Sequence, residues 1–293
     1  MKIQNLMQGV ITINDPKYPK LLKKINDPPK QLYYKGNWDD KIFENCLAVV
    51  GSRRMTSYGR QIASKLVLEI ASRGITIVSG FMYGIDATAH KASLDAGGRT
   101  IAVMPSGIDL IHPEYQEELY KEILENNGLI ISEFEGDFFP TLWAYPKRNR
   151  IVAGLSKAAM IIEAGEKSGS LITANFAKKY NKKIFAVPGP LSSVMSKGTN
   201  QLIKQGADIV TDSRDVLEYF DIKMDFKNQK TFSRNFALSK LEQRIIKELQ
   251  RESMEIDILS RLLGVSAVEI GTVVSLMQLK GLLFIENGKY YVY

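Results

Sequence analysis

Three short segments concentrate residues able to hold a polyanion. Val50-Gly51-Ser52-Arg53-Arg54 runs on through Gly59 into an apolar spacing of helical type. Gly51 permits close approach, Ser52 offers a hydroxyl, and Arg53, followed by Arg54, offers a guanidinium fork that matches phosphate oxygens. Lys167-Ser168-Gly169-Ser170-Leu171-Ile172-Thr173 leads from a loop into a helix start. Main-chain N–H groups there, with hydroxyls and a lysine, suit a phosphate. Tyr145-Pro146-Lys147-Arg148-Asn149-Arg150 crowds three cations, an amide and an aromatic into one short turn. A single-strand binder needs cations along the backbone and an aromatic face for the bases. Tyr145 with Trp143 supplies such a face, although a core position for Trp143 is the simpler reading. The ordinary reading of the other two segments is a solvated turn and a capped helix.

Other chemistries lack their residues. The three-glycine dinucleotide fingerprint and the Gly-Lys-Ser/Thr phosphate loop are both absent. His90 and His112 lie on different elements with no neighbouring nucleophile, and Asp86 and Glu163, near strand ends, form no pattern that marks catalysis. One cysteine, Cys46, and two histidines argue against a zinc site, and we expect no metal and no cofactor. The lone cysteine fits a reducing compartment; with no apolar leader and no membrane span in the sequence, the reading is cytoplasmic, without membrane insertion.

The 39 Lys and Arg against 32 Asp and Glu give a net charge of +7 over 293 residues, unevenly placed. Between Pro140 and Gln205 eleven basic residues face two acidic ones, Glu163 and Glu166. Such a stretch points to a polyanion partner. Lys178, Lys179, Lys182 and Lys183 read equally well as a solvated helix end.

The elements that must position these groups alternate. Residues 10–36 read as a lead-in broken by Asp15-Pro16, Tyr18-Pro19 and Pro28-Pro29. Strands are expected at Leu47–Val50, Ile75–Val78, Thr100–Met104, Leu129–Ile131, Ala159–Ile162, Lys183–Val187 and Asp208–Val210. Helices are expected at Gly59–Ser72, Ala87–Ala96, Tyr115–Asn126, Leu171–Tyr180 and Asn200–Gln205. That alternation implies a doubly wound, mostly parallel sheet, whose ligands bind at the strands' carboxyl ends. Those ends carry Gly51-Ser52-Arg53, Ser79-Gly80, Pro105-Ser106-Gly107, Glu163 and Pro188-Gly189-Pro190. We expect this domain to occupy residues 1–220. A polar linker, 221–235, follows. Residues 236–293 read as three helices (Ser239–Gln250, Ile256–Leu263, Ala267–Lys280) and a hairpin turning at Asn287-Gly288, a winged-helix pattern. The last helix carries Glu269, Thr272, Ser275 and Gln278 but one cation, Lys280, a poor set for reading duplex sequence.

Several motifs in this order resemble the DNA-processing protein A family (DprA, also called Smf). They are Gly51-Ser52-Arg53 through Gly59; Ser79-Gly80 with Gly84-Ile85-Asp86 and Ala89-His90; Arg148-Asn149-Arg150 through Leu155; Lys167 through Ala174; and Ala186-Val187-Pro188-Gly189-Pro190 with Gly198 and Asn200. The resemblance spans about Asn14 to Val210. It implies an extended Rossmann-like domain that binds single-stranded DNA, protects incoming DNA, and loads the recombinase RecA during natural transformation as a homodimer. By position, Arg53 and Tyr145–Arg150 fall in the family's DNA pocket. Many members carry a basic residue before Gly-Ile-Asp; here Tyr83 precedes Gly84, offering a ring for a base where a cation is usual. For the homodimer, Leu202 and Ile203 are the candidate surface residues, with a place in their own subunit's core as the alternative.

Two further readings stand beside the DNA-binding one. The first is a nucleotide-binding, phosphoribohydrolase-like enzyme, for which Pro188-Gly189-Pro190 and Gly198-Thr199 are a loose echo of the expected glycine-rich motif. The second is a winged-helix transcription regulator, opposed by the last helix with its single cation.

Overall fold

The structure, a computed structural model, describes residues 7–222, 238–280, 282–286 and 288–292. The chain divides into two compact units, Met1–Lys223 and Met224–Tyr293. Almost all of the linker expected at 221–235 lies outside the described residues.

The first unit is a nine-stranded sheet. Its elements in chain order are β1 (Gln8–Thr12), α1 (Lys20–Lys23), β2 (Gln31–Gly36), β3 (Cys46–Val50), α2 (Ser57–Ala71), β4 (Thr76–Ser79), α3 (Ile85–Asp95), β5 (Thr100–Gly107), α4 (Glu117–Glu125), β6 (Leu129–Phe134), α5 (Ala144–Leu155), β7 (Ala158–Ile161), α6 (Ser170–Lys179), β8 (Lys183–Ala186), α7 (Lys197–Lys204), β9 (Asp208–Ile209) and α8 (Ser213–Tyr219). The strand order is β1-β2-β6-β5-β4-β3-β7-β8-β9. From β6 to β9 all pairs are parallel; β1 and β2 join antiparallel at one edge.

Burial explains why the central strands are mostly apolar. All five residues of β3 are buried, because both faces are covered. Alternate residues serve opposite faces. Ala48, Val50, Ile101, Val103, Leu129 and Ile131 join one core with Ile151, Val152 and Leu155 of α5. Ala102, Met104 and Ile130 join another with Phe81, Tyr120 and Ile123. The order places β3 between β4 and β7, so the chain reverses its direction of travel at β3. That switch point is where such sheets open a crevice at their carboxyl ends.

Two expectations change. The lead-in read at residues 10–36 contains two strands: Ile11 pairs with Leu32, and β2 continues onto β6 through Tyr33 and Ser132. The turn read at Tyr145–Arg150 is the first half of helix α5. Pro146 is tolerated there because the N–H groups of a first turn have no intrahelical acceptor to lose.

The second unit carries α9 (Lys240–Leu249), α10 (Ile256–Leu263), α11 (Ala267–Leu279) and the antiparallel hairpin of β10 (Leu283–Glu286) and β11 (Lys289–Val292), as the winged-helix pattern requires. Ser239 and Glu242 form a capping box at the start of α9. Ile245, Leu259, Ile270, Val274 and Leu283 form its core. The Thr272 and Ser275 hydroxyls donate back to carbonyls of their own helix. Asn287 of the hairpin turn lies outside the described residues.

Lys182 ties the α5 end of the first unit together. Its Nζ donates to the carbonyls of Ala153, Gly154 and Ser156 at 2.8, 2.6 and 2.5 Å. They are among the last carbonyls of the helix, which end without the usual backbone donors four residues on. Burial pushes the Lys182 ammonium down to about 8. Lys182→Met should therefore lose roughly 1.5–3 kcal/mol of stability, the range for hydrogen bonds to a charged group. Urea unfolding of the variant measures it; an unchanged midpoint would show the cap to be idle.

Candidate nucleic-acid interface

The turn after β3 is fixed by a buried carboxylate. Glu163, 1% exposed, follows β7 and accepts from the Thr56 N–H at 2.8 Å and the Thr56 hydroxyl at 2.6 Å. Its backbone carbonyl accepts from Ser52 N–H at 2.7 Å. The start of α2, where doubly wound folds place a phosphate, thus holds the protein's own anion. The Ser52 side chain is buried as well: its oxygen accepts from Arg54 N–H at 3.0 Å, and its hydroxyl points at the Met195 sulfur at 3.4 Å. The hydroxyl expected to face a ligand at Ser52 is therefore turned inward. Arg53 and Arg54 remain exposed.

The turn after β4 lies directly against that of β3. Gly84 has φ +83°, and a Cβ on it would strike the backbone of Ser52 and Arg53, so only glycine allows this approach. Gly80 fills the same role one layer down. A Cβ there would collide with Asp86 Oδ2 and both terminal nitrogens of Arg148. Those two charged groups therefore meet over bare backbone. His90, fully buried, holds that backbone from below through Nε2 to the Gly80 carbonyl at 2.6 Å, with Nδ1 at 2.7 Å from the Thr100 hydroxyl. Burial keeps His90 neutral, pulling it down to about 4.

Arg148 is 4% exposed and donates through Nη1 to the Val103 carbonyl and through Nε to Asn149 Oδ1. Burial pulls it down to about 10; the Asp86 carboxylate opposes that fall and Arg53 adds to it. Burial pushes Asp86 up to about 6, against the pull of Arg148, a hydrogen bond from Ser79 and the charge of Arg53.

Above this floor Arg53 stacks on the Tyr145 ring, its guanidinium carbon 4.9 Å from the centroid, within cation–π range. Tyr145 Oη lies 3.0 Å from His112 Nε2, and His112 meets the Phe139 ring edge-on at 5.3 Å. Burial, then Arg53, lowers the His112 pKa. Tyr83 and Tyr115, 42% and 68% exposed, stand 6.5 Å apart, and the Tyr115 hydroxyl feels the Arg53 charge. The result is a cation among exposed rings over a polar floor.

The remaining sequence candidates divide. Asn149 donates to the Gly169 carbonyl at 3.3 Å, which joins the Lys167 loop to α5. Lys167 is exposed, whereas Ser170 and Thr173 are buried, and the Ser168 and Ser170 hydroxyls pair at 2.8 Å. Lys147 lies 3.5 Å from Glu133 and over the rings of Phe134 and Trp143. Trp143 is 52% exposed, not a core residue. Arg150 leaves the group: 5% exposed, it grips Glu133 with two bonds of 2.6 Å and the Asp27 carbonyl at 2.8 Å. Leu202 belongs to its own subunit's core at 9% exposure, and Ile203 packs partly buried against that core.

Sequence reasoning passed over His112, Tyr115 and Phe139. Their signal was position, since Ile111-His112-Pro113-Glu114-Tyr115 follows closely on the carboxyl end of β5. It also set Glu163 aside as a carboxylate in no catalytic pattern; its partner Thr56 lies 107 residues away. Among the described residues no three His, Cys, Asp or Glu side chains cluster as metal ligands, and no single helix is long and apolar enough to cross a membrane.

Known proteins resemble this chain in sequence and in fold. A family model described as DNA recombination-mediator protein A matches residues 9–221. Protein Smf of Escherichia coli is 41% identical over 201 residues, covering 69% of this chain and 54% of its own length, so the chain spans about half of that relative. The solved structure of DNA processing protein A from Streptococcus pneumoniae superposes with a TM-score of 0.69 at 38% identity, covering 72% of this chain and 74% of that one. A Helicobacter pylori DNA processing protein A, whose structure concerns its single-stranded DNA binding mode, gives 0.64 at 35% identity, covering 73% and 98%.

The floor makes a measurable claim. The folded Asp86 value near 6 stands above the ordinary 3.8, so the folded protein holds that proton more tightly than the unfolded chain. The stability this contributes is complete below about pH 4 and lost as pH rises through 6. Carbon-detected titration of the Asp86 carboxyl should give a midpoint near 6, and a higher one in Arg148→Met, which removes the cation that opposes the rise. A wild-type midpoint near 4 would show that burial does not outweigh the pull of Arg148.

Proposed function

Since the chain belongs to the DNA recombination-mediator protein A family, we propose that it binds single-stranded DNA at the carboxyl ends of β3, β4 and β5, protects incoming DNA, and loads RecA recombinase onto it during natural transformation, as a cytoplasmic homodimer. The observation that carries this reading is Arg53. It is exposed at the switch point of the sheet, backed by Tyr145 at 4.9 Å, and surrounded by half-exposed rings. Phosphate needs the cation, and unstacked bases need the rings. Buried Glu163 at the start of α2 disfavours a mononucleotide phosphate there and leaves an open surface suited to a chain of nucleotides. The H. pylori relative supports the choice of single strands. On α11 the hydroxyls of Thr272 and Ser275 are occupied within the helix, so duplex reading by the second unit has little to work with.

The cations beside this site are Arg53 and Arg54 of the turn after β3 and, from the basic stretch, Lys147 and Lys167. Arg148 acts from beneath, and Arg150 serves Glu133. Binding to an oligo-dT strand should exceed binding to a matched duplex and fall steeply with salt through counterion release. Arg53→Ala should weaken it and flatten the salt slope by about one unit, whereas Arg150→Ala should cost stability first. Equal affinity for duplex, or an Arg53→Ala variant with the wild-type slope, would defeat the assignment. Stimulation of RecA filament assembly on strands covered by single-strand binding protein tests the loading step, and sedimentation tests the homodimer.

A further inference from the structure

We propose that Tyr83 and Tyr115 together hold one unpaired nucleobase of the strand whose backbone Arg53 grips; the inference rests on the single-strand reading of this site. The two rings come from different turns, yet the backbone that carries them is held in place. Tyr83 follows Phe81 and Met82, which are 0% and 5% exposed, and precedes Gly84, which presses the turn onto the Arg53 backbone. Tyr115 precedes Gln116, 6% exposed, whose Nε2 donates to the Phe81 carbonyl at 3.2 Å. Phe81 in turn meets Tyr120 edge-on at 6.0 Å. One amide contact thus locks the two turns side by side, and the tyrosines project from that joint.

The rings themselves are left open. Tyr83 is 42% exposed and Tyr115 68%, and neither hydroxyl has a hydrogen-bond partner among the described residues. Their centroids are 6.5 Å apart with the planes tilted by 51°, a loose contact for two aromatic rings. Turning one ring towards parallel gives a slot close to the depth of one base, which needs two stacking steps of about 3.4 Å each. The surroundings suit a nucleotide better than an apolar protein face, because the charge of exposed Arg53 acts on Tyr115. Stacking is indifferent to base identity, because every base has a π-face. The pair therefore adds grip without sequence preference, and with no phosphate of its own.

That last property separates it from the cations. The Tyr83→Ala/Tyr115→Ala chain should bind an oligo-dT strand roughly tenfold or more weakly. Its salt slope should equal that of the wild type, and so should its thermal midpoint. Tyr83→Phe/Tyr115→Phe should retain the affinity. A strand with abasic sites across the bound window should bind the wild type as weakly as the alanine variant binds the intact strand, with no further loss on combining the two. An alanine variant within twofold of wild type would overturn the pair, as would one that loses the same factor on intact and abasic strands. A wild-type chain that binds no single strand would instead remove the reading of the whole site, a different result from a binding wild type and an equal variant.

Discussion

A carboxylate removed from water must be fully hydrogen-bonded to be tolerated, and Glu163 meets that condition at the first turn of α2. Much of the site follows from it. Its side chain occupies the helix start and its carbonyl holds Ser52, so the turn after β3 has one conformation. Arg53 is the first residue beyond that clamp and points outward. Gly84 then lets the next turn rest on the Arg53 backbone, and with it come Asp86 below and Tyr83 above. An anion site common to doubly wound folds is thereby closed from within, and recognition moves to the rim.

Net charge and available charge differ in this protein. The basic stretch from Pro140 to Gln205 looks like a polyanion surface when counted in sequence. In space Lys182 caps α5, Lys183 pairs with Asp208 at 2.5 Å, Lys197 with Glu166 at 3.4 Å, and Arg150 with Glu133 at 2.6 Å. Two of those acidic partners, Glu133 and Asp208, lie outside the stretch, so a windowed count omits them. What those contacts leave is a smaller set, and the Arg53 guanidinium, placed by the sheet, counts for more than several lysines spread over a helix surface.

The parallel strands were legible because burial on both faces leaves an uninterrupted apolar run, as in Cys46–Val50. β1 and β2 were not: β1 is an edge strand of which only Ile11 is buried, and β2 sets polar Gln31 and Lys35 around buried Leu32 and Tyr33, which breaks the apolar run. Helix α5 was hidden by Pro146, whose effect depends on whether it falls in a first turn or later. Arg53 and Tyr145 could be named from the motifs that hold them. Arg148 and Arg150 could be named but not told apart from exposed cations, because Asp86 and Glu133 reach them only through the fold. Tyr115 and Gln116 carry no motif; their meaning comes from a hydrogen bond to Phe81, 35 residues away.

A helix is also an electrical object, with a fractional positive charge at its beginning and a negative one at its end. In α5 the negative end is covered by the Lys182 ammonium, while the first turn contains no acidic residue. The two poles are therefore treated unequally: one is quenched and the other left bare. The bare pole lies at Tyr145, beneath the Arg53 guanidinium. The helix thus behaves towards the cleft as a partial monopole, adding to a field that buried Arg148 already supplies. A lysine at the far end of the helix strengthens the attraction for anions at the near end without touching anything that arrives there.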